Sequence, residues 1–113
     1  MWLFTTIGFF SVVQKPGEPH LTVRARVAAD LDQLRTRYLP ELSATIPTPR
    51  GDYPFRATVS HEALATALGR IVLDLHYDNF KSAVARDQGW DREGIYEEAW
   101  FVVRQLQELK PGK

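Results

Sequence analysis

Two stretches of this chain switch between apolar and polar at every residue, the period a strand needs when one of its faces is buried. In LTVRARV, Leu21, Val23, Ala25 and Val27 fall on one side and Thr22, Arg24 and Arg26 on the other. In DYPFRATVS, Tyr53, Phe55, Ala57 and Val59 oppose Arg56 and Thr58. Between them lies AADLDQLRTRYLP, where Leu31, Leu34 and Tyr38 recur at helical spacing. Asp30 and Asp32 suit its first turn and Pro40 stops it. Strand, helix, strand predicts a right-handed crossover that leaves the two strands parallel.

The N-terminal run MWLFTTIGFFSVVQK is rich in Phe, Val, Ile and Thr and predicts a buried strand, with Gly8 marking a bulge or bend. The turn formers from Gln14 to Pro19 then predict a hairpin into LTVRARV. As in a split β-α-β sheet, this first strand is expected between the other two, antiparallel to both. ELSATIPTPRGD predicts a loop, with a short extended piece near Ala44 to Pro47 as a fourth strand. Helices should fill the rest. Ser60 caps one with the stripe Leu64, Leu68, Ile71 and Leu75; a short one starts at Asp78 and stops near Gly89. Asp91 caps the last, whose inner face is Ile95, Ala99, Val102, Val103 and Leu106. The expectation is therefore one α+β domain over residues 1–113. It has a small three-stranded or four-stranded mixed sheet, helices packed on one face, and a helical C-terminal half.

Composition narrows the function classes. Lys plus Arg and Asp plus Glu both number 14, so no global field draws the chain to nucleic acid or membrane, and recognition of charge must be local. With no cysteine, disulfides, thiolate metal sites and a Cys nucleophile are excluded. The apolar N-terminus lacks both a preceding basic residue and a small-x-small cleavage pattern, and it is too short to span a bilayer. A cytoplasmic location without membrane contact is expected.

The best lead to a site is the arginines. If both apolar sides meet the helices, Arg24, Arg26 and Arg56 share the opposite sheet face with Thr22 and Thr58. Each guanidinium is a planar fork that holds a carboxylate or phosphate through two parallel hydrogen bonds. The competing structural reading is a plain one-sided sheet, its Arg stems covering apolar surface and their heads pairing with acids of the last helices. A second cluster, HYDNFK, offers Tyr77, Asn79 and Lys81 as donors at a helix start, where free amides favour anions. Capping and packing explain the same residues.

Catalytic patterns are missing. His20, His61 and His76 lack zinc-site spacing, HEALA is not HExxH, and there is no GxSxG, P-loop or GxGxxG after a strand. Glu93, Glu97 and Glu98 are expected to be solvent-facing charge, and no cofactor or metal is implied. Phe9 or Phe10 must point to the arginine face and could stack a base, but without an RNP-like motif nucleic acid ranks below a small anion.

GFFSVV, VRARV, DYPFRA and YDNFK, in this order, resemble a family of short, single-domain bacterial proteins described only as uncharacterised. The resemblance implies a free-standing bacterial domain and carries no activity or site. The leading expectation is an accessory or regulatory module binding an anionic ligand or partner on the arginine face. A protein-interaction module or homodimer through that face follows. A small enzyme on an anionic substrate, with His76 or Tyr77 near the chemistry, comes third.

Overall fold

Gly8 divides the apolar N-terminal run into two strands instead of bending one. In the computed structural model, which describes residues 1–112, β1 (Trp2–Thr5) and β2 (Gly8–Val13) form an antiparallel hairpin. Thr5 makes the turn. Its hydroxyl accepts from the Ile7 and Gly8 amides at 3.2 and 3.1 Å and donates to the Gly8 carbonyl at 2.7 Å. A threonine reads as a strand former, which is why the single strand expected here is wrong.

β3 (Leu21–Ala25) follows, then α1 (Ala28–Arg37), β4 (Ile46–Pro47), β5 (Phe55–Val59) and α2 (His61–Leu73). The sheet has five strands in the order β1-β2-β3-β5-β4, and every pairing is antiparallel. The expected parallel pairing of β3 with β5 is thus overturned, as is the placement of the first strand between them. The chain returns from α1 into β4, and the tight turn from Thr48 to Pro54 sends β5 back between β3 and β4. Those two strands run the same way because both are antiparallel to β5. A split β-α-β unit is present, built from different strands. The short extended piece near Ala44 to Pro47 is its outer member, and Pro47 keeps that edge closed to further pairing.

One face of the sheet carries the core. Phe10, Val12, Val23, Ala25, Ala57 and Val59 pack against Leu31 and Leu34 of α1 and Leu64 and Ala67 of α2. α1 is tied to β2 through Asp30, a buried carboxylate that accepts the Phe9 amide at 3.0 Å. Ser60 caps α2 by accepting the Ala63 amide at 3.1 Å. The α2 stripe ends at Ile71; Leu75 lies beyond the helix and is exposed.

Across the unit, the Tyr38 hydroxyl donates to Asp74 Oδ2 at 2.8 Å. This hydrogen bond, then burial, then the negative charge of Asp74 raise the phenol above its ordinary value. A raised folded-state value means the contribution is complete below the unfolded value of about 10 and disappears as pH climbs through the folded one. Tyr38→Phe should therefore cost about 0.5 kcal/mol near neutral pH, the pair being solvent-screened, and cost nothing at strongly alkaline pH. Urea melts of both proteins across that range check this; a gap that persists in alkali would count against it.

The residues from Tyr77 onward form a second compact unit, with α3 (Phe80–Gln88), α4 (Trp90–Val103) and a 3-10 turn (Arg104–Glu108). Asn79, not Asp78, caps α3, its Oδ1 accepting the Ser82 amide at 2.9 Å. Gly89 closes α3 and opens α4 with φ of 96°, a conformation suited to glycine. Asp91 sits inside the first turn and caps nothing. The expected inner face of α4 is also overturned: Glu93 and Tyr96 are its buried residues, while Ile95, Val102, Val103 and Leu106 are exposed. Tyr96 stacks on Phe80 with ring centroids 6.0 Å apart, and that aromatic pair turns α4 by about one residue from the aliphatic stripe. Glu93 is accordingly buried, not solvent-facing. Among the described residues no helix is long and apolar enough to cross a membrane.

Candidate functional site

The strand register puts three side chains in one row across the sheet: Ser11 opposite Arg24, and Arg24 opposite Arg56. One step along, Thr22 faces Thr58. Because Phe10, Val12, Val23 and Ala57 fill the core, this row lies on the other face, as the alternation requires. Arg26 follows the last residue of β3 and joins the group through Tyr53. The Arg24 and Arg26 guanidinium carbons stand 4.6 and 4.0 Å from the centre of its ring.

Tyr53 was expected on the apolar side with Phe55. Pro54 breaks that alternation, since β5 begins only at Phe55, and the buried ring goes to the arginines. The remaining contacts hold each guanidinium by one edge. Arg24 Nη2 donates to the Ser11 hydroxyl at 2.7 Å. Arg26 Nη1 donates to the Asp52 carbonyl. Arg56 Nε donates to Thr48 Oγ1 at 3.2 Å, and that hydroxyl donates on to the Tyr53 carbonyl at 2.6 Å. Gly51 leaves room for the Arg56 head, since a Cβ there would stand 3.0 Å from Nη2. Ser11, Thr48 and Tyr53 escape a reading by alternation because their roles come from cross-strand register and from the β4–β5 turn.

None of these partners is a carboxylate. Among the described residues, Arg24, Arg26 and Arg56 make no ion pair, and Arg24 Nε is buried without a hydrogen-bond partner. Arg35, by contrast, is fully used: it pairs with Asp32 at 3.1 Å and donates to the Leu42 and Ser43 carbonyls and to Thr45. Like charges a few ångströms apart at a protein surface repel by about 1–4 kcal/mol, so a site of this kind favours an anion that neutralises them. Access is graded. Arg26 is exposed, Arg56 and Arg24 are half-buried, and Ser11 and Thr22 are buried beneath them.

Aromatic rings continue the same face toward the edge. Phe9, not Phe10, points there, and it packs on Trp2 and Phe4 at centroid distances of 6.0 and 4.6 Å. Phe9 is therefore part of a packed cluster, not a bare platform for a base.

The HYDNFK residues lie in the second unit from Tyr77 on, and their groups are engaged locally. Tyr77 packs on Phe80 at 5.9 Å, and Asn79 is the cap described above. Lys81 reaches Glu97 at 3.5 Å and lies 5.2 Å from the centre of the Trp100 ring. His76 is exposed, its Nδ1 3.0 Å from the Asp74 carbonyl. No group of three or more His, Cys, Asp or Glu side chains able to hold a metal occurs among the described residues. No family model, curated protein or solved structure matches this chain.

Proposed function

We propose that this protein is a small accessory or regulatory module that binds an anionic ligand at the arginine cluster around Tyr53. The observation that carries the reading is a group of three guanidiniums, two of them on one aromatic ring, with no carboxylate neutralising them among the described residues. Arg26 and Arg56 are the forks that meet the ligand, and Arg24, anchored to Ser11, supplies charge from below. Tyr77, Asn79 and Lys81 are left out of the site because local contacts occupy them. We place this module in the bacterial cytoplasm, in line with the resemblance to short bacterial proteins.

Thermal melts with phosphate, a nucleoside triphosphate and a dicarboxylate test the proposal. A ligand at about 100 times its Kd stabilises by about 2.7 kcal/mol, a shift visible in a domain of this size. Arg26→Lys and Arg56→Lys should each weaken binding about tenfold while leaving the unliganded melt nearly unchanged, since Lys keeps charge but loses the fork. Absence of a shift with all three anion classes would refute the reading. A shift that both Lys variants keep in full would move the site elsewhere.

A further inference from the structure

Helix α4 turns its most apolar side to water. Ile95, Ala99 and Val102 are spaced by four and three residues, the repeat of a helix–helix seam. Ile95 and Val102 are 66% and 62% exposed. Val103, Leu106 and Leu109 then recur every third residue through a segment that is 3-10 from Arg104 to Glu108. In a 3-10 helix that spacing lines side chains up along one edge, so the stripe continues without a break. Trp100 and Phe101 flank it, their rings 5.0 Å apart and edge to face. All four consecutive residues from Trp100 to Val103 are more than half exposed, which leaves this end of the helix apolar on every side. Helices of that kind are ordinarily enclosed by other protein.

We propose that the stripe from Ile95 to Leu109 pairs with the same stripe of a second copy, the two α4 helices running antiparallel. From the exposures of Ile95, Val102, Val103, Leu106 and Leu109, the stripe offers on the order of 600 Å² of apolar surface per copy. That is as large as the largest patch of a typical monomer and close to the roughly 800 Å² each partner gives a stable interface. Charge selects the direction. Asp91 and Glu98 are exposed acids that bracket Ile95, while the exposed charges beyond Val103 are Arg104, Glu108 and Lys110, with a net positive sum. Antiparallel pairing sets acids against bases and opposes the helix dipoles, whereas parallel pairing sets like against like. Val102 lies midway between Ile95 and Leu109, so the two-fold axis passes beside it and Val102 faces its own counterpart.

The cysteine-free chain makes a clean test. Sedimentation velocity of the full chain over about a hundredfold range of concentration should show a monomer–dimer equilibrium. Val102→Glu and Leu106→Glu should each weaken it at least tenfold while circular dichroism and melting of the dilute protein stay unchanged, because both positions are exposed. Val102→Cys should oxidise to a cross-linked dimer and Ile95→Cys should not, since only residues near the axis come within disulfide reach of themselves. Any of three results overturns the proposal. These are a wild-type monomer throughout, a dimer indifferent to both Glu variants, and a monomer that instead sediments with phosphatidylglycerol vesicles through Trp100 and Phe101. Cross-linking of Ile95→Cys but not Val102→Cys would refute the antiparallel arrangement.

Discussion

Gly8→Ala should lower the stability of this protein by about 2–4 kcal/mol, far more than most substitutions of a single hydrogen by a methyl group. A Cβ at Gly8 would stand 2.6 Å from Asp30 Cγ and 2.7 Å from its Cβ, and the backbone there has φ of 155°. Asp30 cannot step aside cheaply. It is 3% exposed and its Oδ2 accepts the Phe9 amide at 3.0 Å, so moving it breaks the bond that fixes the start of β2 to α1. Asp30→Ala alone should cost about 1.5–3 kcal/mol, because it leaves a backbone amide and its surroundings without the charged acceptor. The double variant separates clash from conformation. If the methyl collides with the carboxylate, Gly8→Ala must cost at least about 1 kcal/mol less in the Asp30→Ala background than alone. Additive losses in urea melts would mean that the carboxyl group is not what the methyl costs, leaving the backbone conformation and the 2.7 Å approach to the Cβ that alanine retains at position 30.

That joint also shows where the sequence could and could not be read. Alternation located β3 and β5 and the two faces of each, because one buried face imposes period two whatever the topology. It could not give their relative direction. A β-α-β crossover makes parallel neighbours only when the helix leads straight into the next paired strand. Here the next strand after α1 is the two-residue β4, and its tight turn inverts β5. Two residues are too few to show a period. The N-terminal hairpin was hidden for a related reason, since Thr5 and Thr6 have the composition of a strand and the turn rests on one hydroxyl. α4 failed differently: its aliphatic stripe is real, but Phe80 and Tyr96 stack and decide which face is buried.

The site was legible to the same depth. Residue type and alternation placed Arg24, Arg56, Thr22 and Thr58 on one face, where the register puts them. What organises the arginines came from outside the alternation. Ser11 belongs to a strand whose register to β3 depends on a loop, Thr48 to a turn, and Tyr53 to a position that Pro54 removes from the strand. A reading from sequence offers acids of the last helices as partners for the arginine heads. The partners found are a serine, a threonine, a carbonyl and an aromatic ring, which fix the cations without neutralising them.

If the Tyr53 ring pre-organises the cluster, Tyr53→Leu should damage anion binding more than the loss of any contact to the anion would explain. Leucine keeps much of the buried volume but has no π face, so Arg24 and Arg26 both lose their platform at once. A cation–π contact contributes about 0.5–1 kcal/mol at exposed sites and about 2 when desolvated. Two such contacts amount to about 1–3 kcal/mol of ordering, most of which a ligand would then have to supply on binding. The expected result is a fall in phosphate or nucleotide affinity of about tenfold to a hundredfold. Tyr53→Phe keeps the ring and should bind like the wild type. Tyr53 is 5% exposed, so Tyr53→Leu also loses packing, and the comparison is made at a temperature where melting curves show both variants fully folded. Calorimetric titration of the folded variants decides the matter. Were Tyr53→Leu folded and as tight a binder as Tyr53→Phe, the guanidiniums would be held by Ser11, Asp52 and Thr48 alone, and the aromatic ring would be packing rather than part of the site.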